Sequence, residues 1–183
     1  MQQAVIDTQT FELENFKEMV PGIERYHPMG ALVPEEDIII FAVNMHSLAI
    51  ATTAHTPSYL RYLNDANFTD TLHFHQQFLQ HLQAANKHAG RRWLLKAPQW
   101  CQTLGQLLEF YPDAVVINTH RNPADVLVSL SSLSVKMGGV MTDHLNTSGI
   151  GAAQHDYWER SSEQLYKWRI NAAPEFNCRP GHL

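Results

Sequence analysis

An α/β fold follows from three features of the 183-residue sequence. Trp93-Leu94-Leu95 is a short apolar run that ends in Lys96-Ala97-Pro98. Ala114-Val115-Val116-Ile117-Asn118-Thr119 is β-branched and nearly unbroken, the pattern of a strand covered on both faces. Between them, Gln99 to Phe110 carries Leu104, Leu107 and Leu108 on one side, as an amphipathic helix does. With a second helix opening at Asn122-Pro123 and running to about Lys136, the order is that of a βαβ unit in a parallel sheet.

The remaining elements read as helices. Phe11 to Val20 is a short one, closed by Pro21-Gly22, and a loop follows through His27-Pro28-Met29-Gly30. Pro34-Glu35-Glu36-Asp37 opens a helix that runs through Phe41 toward Leu48, because proline followed by acids is a start signal. Thr56-Pro57 opens another toward Asp65. Asp70 to His88 is longer, with Phe74, Phe78 and Leu82 at four-residue spacing. Met137 to Gly151, rich in glycine and small polar residues, reads as a mobile loop. Asp156 to Ile170 is a last helix carrying Trp158, Leu165 and Trp168, and residues 177–183 have no periodicity. The expected organisation is one domain over 1–183: a helical region 1–90, a core 91–136, a loop 137–151 and a C-terminal helix 152–172.

Composition excludes several functions. Apolar residues make up 44% of the chain, and 13 basic against 18 acidic residues give a net charge of −5. Non-specific nucleic-acid or membrane-surface binding needs a basic face instead. Cys101 and Cys178, far apart, make neither a disulfide framework nor a zinc spacing. The first residues lack the basic and apolar regions of a signal peptide, and the longest apolar run, Ile38 to Val43, is too short to span a bilayer. A cytoplasmic protein is expected, with no oligomeric state assigned.

The clearest chemistry lies at His120-Arg121-Asn122-Pro123, the carboxyl end of the second strand, where open α/β sheets bind ligands. Asn122 suits a helix N-cap and Pro123 the first helical position, so free amides point beyond the strand and favour an anion. Arg121 adds a forked donor suited to phosphate. Ser129, nearly two turns after Asn122, projects to the same side. An arginine here can instead pair with a carboxylate, and a mid-helix serine can bond its own backbone. His73, His75 and His81 read as helix surface rather than metal ligands, so no metal is expected. His120 reads as near the nucleotide or buried against backbone, and Cys101 as a small buried side chain.

Arg92-Trp93-Leu94-Leu95-Lys96-Ala97-Pro98, Tyr111-Pro112-Asp113-Ala114, Thr119-His120-Arg121-Asn122-Pro123 and Ser129 together resemble the nucleotide-binding core of bacterial sulfotransferases. So do His27-Pro28-Met29-Gly30-Ala31, Pro34-Glu35-Glu36-Asp37 and the helix around Tyr157-Trp158. The resemblance covers roughly residues 25 to 170. It implies a P-loop-type parallel sheet flanked by helices and the co-substrate 3′-phosphoadenosine-5′-phosphosulfate, without a metal. Arg121 and Ser129 match the residues that hold the donor's 3′-phosphate, and Lys96 matches the lysine near the transferring sulfuryl group. Glu36 is the candidate general base, with Glu35 second, although acids in a first helical turn also serve the helix dipole. The acceptor is expected to be a small molecule with a hydroxyl or amine, received by the helices between Pro34 and His88.

Two departures stand out. The family opens with a glycine-rich Arg-x-Gly-Thr-Thr loop that cradles the phosphosulfate, and no such loop is present. The chain is therefore expected to be a fragment that starts downstream of that loop and its strand, predominantly helical and impaired in transfer. Relatives often carry histidine where this sequence has Trp100, which cannot move a proton. A non-catalytic nucleotide-binding or interaction remnant is the alternative. A kinase-like phosphotransferase is weak, for want of a Walker-type loop.

Overall fold

Eight α-helices make up most of residues 2–85 and 90–171, which the computed structural model describes. They are α1 (Gln2–Met19), α2 (Ile38–Ala42), α3 (Leu48–Ala54), α4 (Pro57–Asp65), α5 (Thr69–Ala85), α6 (Trp100–Phe110), α7 (Pro123–Gly138) and α8 (Thr147–Asn171), with a 3-10 turn at Ile23–Arg25. Proline stands at the start of both α4 and α7, and the Asn122 side chain caps α7 by accepting from the Ala124 amide at 3.0 Å. The expected helices at these places are present. Residues 86–89, which hold the far end of the helix expected to reach His88, and the tail 177–183 lie outside the described residues.

One apolar core joins the helices. Ile38 and Phe41 of α2, Leu48 and Ala51 of α3, Leu60 and Leu63 of α4, Leu72 of α5 and Tyr157 of α8 meet around Phe68 and Ala97. Alongside α6, three glutamines at i, i+3 and i+7 satisfy the ends of its neighbours. Gln99 Oε1 accepts from the Leu48 amide at 2.9 Å, while its Nε2 donates to the His46 carbonyl at 2.9 Å. Gln102 donates to the Leu63 carbonyl and accepts from the Tyr157 hydroxyl. Gln106 accepts from the Phe68 amide at 2.8 Å. These bonds lock α3, α4, α5 and α8 to one helix that also follows Lys96. Gly105 permits the contact with α8, since a Cβ there would stand 2.9 Å from Trp168 Cδ1.

Several boundaries differ from the sequence-based expectations. The helix expected to open at Pro34 begins at Ile38 and stops at Ala42. Met45 takes a left-handed φ of 57°, and Ser47 starts α3 afresh, its hydroxyl donating to the Ile38 carbonyl at 2.7 Å and accepting from the Ala49 amide at 3.2 Å. α1 is longer than expected, with side-chain pairs such as Gln3–Asp7 and Lys17–Glu14 along an exposed surface. The segment 137–151 is helical at both ends. α7 reaches Gly138, and α8 starts at Thr147 because the Asn146 side chain caps it, accepting from the Gly149 amide at 2.9 Å.

The expected sheet is the largest difference. No strand occurs among the described residues, and 91–97 and 114–120 carry no regular secondary structure. Leu94 is 94% exposed, and Val115 and Ile117 are each 82% exposed. The physical reason is that a helix closes its own hydrogen bonds, whereas a strand exists only when another strand pairs with it. The two segments do not pair with each other, although the helices that should flank them, α6 and α7, are in place.

Candidate functional site

The loop before α2 lies beside the residue that precedes α6's Ala-Pro entry, because the Asp37 amide donates to the Lys96 carbonyl at 3.3 Å. That single bond brings Glu36 and Lys96 together, and Lys96 Nζ hydrogen-bonds Glu36 Oε1. The lysine side chain is 72% exposed and the glutamate 17%, so the pair sits at the surface with its carboxylate partly sheltered. His27 closes the group from the other side, its Nε2 3.3 Å from Glu35 Oε1 and 3.9 Å from Glu36 Oε1. Glu35 Oε1 also accepts from the Glu36 amide at 2.8 Å. Neither glutamate lies in the first turn of α2.

A buried polar layer lies under this cluster. Asp37 occupies the N-cap position of α2 but makes no capping bond. Its Oδ2 accepts from the Trp100 indole N–H at 3.1 Å and stands 3.3 Å from His75 Nε2. His75 Nδ1 meets the Tyr111 hydroxyl at 3.0 Å, and its ring stacks on Phe41 at 5.2 Å. Burial, with the nearby Asp37 charge, pushes the Tyr111 hydroxyl up to about 12. His75 is 0% exposed, which corrects its reading as helix surface, while His73 and His81 are exposed as expected. The reason is local: α5 turns His75, with Leu72 and Leu79, toward the core.

The predicted phosphate residues stand apart from this group. Arg121 is exposed and has no ion pair or hydrogen bond among the described residues. Ser129 is exposed on α7, and its hydroxyl forms no bond to the helix backbone, unlike Thr52 and Thr53 on α3. The structure records no contact between Arg121 or Ser129 and the Glu36–Lys96 cluster. His120 is exposed rather than buried. Cys101 is half-buried, and burial raises its thiol, which keeps it protonated and unreactive. Among the described residues no three histidine, cysteine or acidic side chains gather as metal ligands, and no helix is long and apolar enough to cross a membrane. A separate cleft of about 200 Å³ between α4 and α8 is lined by Arg61, Asn64, Asp156 and Arg160 and holds none of these residues.

Sequence reasoning gave no role to His27 or Asp37, and it placed His75 on the helix surface. His27 reaches the glutamates across a loop, where no periodicity links them. Asp37 reads locally as one more acid of a helix start.

The chain as a whole matches known proteins. Residues 2–178 match the sulfotransferase family, and the chain belongs to it. A crystal structure of the sulfotransferase STF1 from Mycobacterium tuberculosis H37Rv superposes with a TM-score of 0.75 at 29% sequence identity. The match covers 91% of this chain and 45% of that one, so the chain spans less than half the length of this relative. No curated protein matches.

Proposed function

We propose that this chain carries part of a site that transfers a sulfuryl group from 3′-phosphoadenosine-5′-phosphosulfate to the hydroxyl or amine of a small-molecule acceptor. The observation that carries this reading is the Glu36–Lys96 pair, formed between residues 60 apart in the chain and sitting at the end of the Trp93-Leu94-Leu95 run. An acceptor oxygen attacks the sulfur, and the bond from sulfur to the 5′-phosphate oxygen breaks, releasing adenosine 3′,5′-bisphosphate. Glu36 takes the acceptor's proton, from a position beside the Lys96 ammonium. Lys96 turns its charge to the sulfuryl oxygens, where negative charge must be stabilised in an in-line transfer.

Arg121, Ser129 and the Asp125 amide at the start of α7 hold the donor's 3′-phosphate. The support is an arginine with no carboxylate partner among the described residues, placed directly before a capped helix. In this reading 91–97 and 114–119 are two strands of a P-loop-type parallel sheet, consistent with the likeness to the mycobacterial relative. A second reading, a remnant that binds nucleotide without transferring sulfate, draws support from 91–97 and 114–120, which carry no regular secondary structure.

Calorimetry with adenosine 3′,5′-bisphosphate tests the site. Weak binding is expected, and Arg121→Ala should weaken it about tenfold or more, the scale of charge-assisted bonds to phosphate. Equal affinity for both proteins would remove the phosphate assignment. Sulfate transfer to a phenol, run alongside, should be slow or absent for this chain alone. Binding without transfer favours the remnant, and robust turnover eliminates it.

A further inference from the structure

We propose that Asp37 is a positioning residue for the transfer site, its buried carboxylate riveting the Glu36 loop to the segment that carries Lys96. The inference rests on the roles of Glu36 and Lys96 given above. Aspartate at an N-cap position ordinarily accepts a bond from the first helical amides. Asp37 forgoes it and turns inward, to the Trp100 indole at 3.1 Å and His75 at 3.3 Å. A carboxylate 3% exposed is costly to bury unless its charge is met, so its partners determine where it can sit.

The protons fit such a role. At neutral pH the Tyr111 hydroxyl keeps its proton and can donate to His75 Nδ1, 3.0 Å away. On the other side of the ring, His75 Nε2 faces Asp37 Oδ2 at 3.3 Å and has no other polar partner. Tyr111, His75, Asp37 and Trp100 thus form one chain of polar groups drawn from α5, α6, the end of α6 and the start of α2. Phe41 stacks on the His75 ring, and its centroid lies 4.8 Å from the Trp100 ring, which fixes the chain sideways.

The location gives the carboxylate its consequence. Asp37 is bonded in sequence to Glu36, and Trp100 follows Lys96 by four residues. The Asp37 amide donates to the Lys96 carbonyl from the same joint. Releasing the carboxylate frees both sides of the Glu36–Lys96 pair at once. Trp100 cannot move a proton, yet its indole N–H keeps that position useful as the donor that holds Asp37.

The test measures Lys96 directly and needs no turnover. The full chain, Asp37→Asn and Trp100→Phe are each treated with limiting trinitrobenzenesulfonate, and the modification rate of every lysine is read by peptide mass spectrometry. Lys96 should react about threefold faster in either variant, the order expected when one exposed ion pair is released. Lys17 and Lys167, paired within their own helices to Glu14 and Glu163, should keep their rates. An unchanged Lys96 rate overturns the proposal, as does equal acceleration of all lysines, which marks general loosening. If Asp37→Asn does not fold, Trp100→Phe decides, because it keeps an aromatic ring and removes only the donor. Nucleotide affinity, measured on the same proteins, separates the two ideas: its absence in the unaltered chain sinks the sulfotransferase reading and leaves the Lys96 result standing.

Discussion

Ile38-Ile39-Ile40-Phe41 and Val115-Val116-Ile117 are equally apolar runs with opposite fates. The first forms α2 and places Phe41 at 0% exposure and Ile38 at 8%, while the second leaves Val115 and Ile117 82% exposed. Hydrophobicity alone does not separate them. A turn of helix satisfies its own backbone and needs only side-chain cover, which α3, α4, α5 and α8 supply. An extended run needs a hydrogen-bonded neighbour first and cover second. The molecule therefore divides into a region whose stability is internal and a region whose order depends on pairing that the described residues do not provide.

The largest expected effect tests the first region. Phe41 touches the rings of Phe68, His75 and Trp100. Phe41→Ala should cost about 3–5 kcal/mol by urea unfolding, the usual loss for a buried aromatic side chain. A loss below about 1 kcal/mol would mean this core is as loosely held as the extended segments and would erase the contrast.

A smaller effect comes from alkaline pH. The Tyr111 hydroxyl is raised from 10.0 to about 12, and burial raises Tyr157 as well. The folded state holds these protons more tightly than the unfolded chain. Their contribution is complete below the ordinary tyrosine value and is lost as pH rises through the folded one. The urea midpoint should fall between about pH 10 and 12, and Tyr111→Phe should make the fall shallower by removing one of the raised tyrosines, which also include Tyr59. Identical slopes would show that Tyr111 is not held in the packed region.

The same division explains what could be read from the residues alone. Starts of α4 and α7 were legible because proline at the first helical position, and at α7 an asparagine cap, act within a few residues. The start of α8 was missed because Gly149 and Gly151 resemble loop residues. Gly149 in fact makes room for its own cap, since a Cβ there would lie 2.8 Å from Asn146 Nδ2. Glu36 and Lys96 were named through family motifs, and no spacing rule joins residues 60 apart. His75 was misread because a helical histidine shows the same local pattern whether it faces water or Asp37. Only the packing of α2 and α6 against α5 distinguishes them.

The smallest expected effect tests the second region, and it is informative because it is small. A lysine at a buried strand position of a formed sheet would leave an uncompensated charge and cost several kcal/mol. At 82% exposure Ile117 meets neither condition. Ile117→Lys should change the stability of this chain by no more than about 0.5 kcal/mol, the ordinary range for surface substitutions. It should also raise solubility, because it removes an apolar side chain from a segment whose backbone is open to pairing. A loss of 2 kcal/mol or more, measured by the same urea unfolding, would show that this segment is already paired and covered in solution. In that event the two apolar runs would share one fate, and the parallel sheet would have to be present within the chain itself.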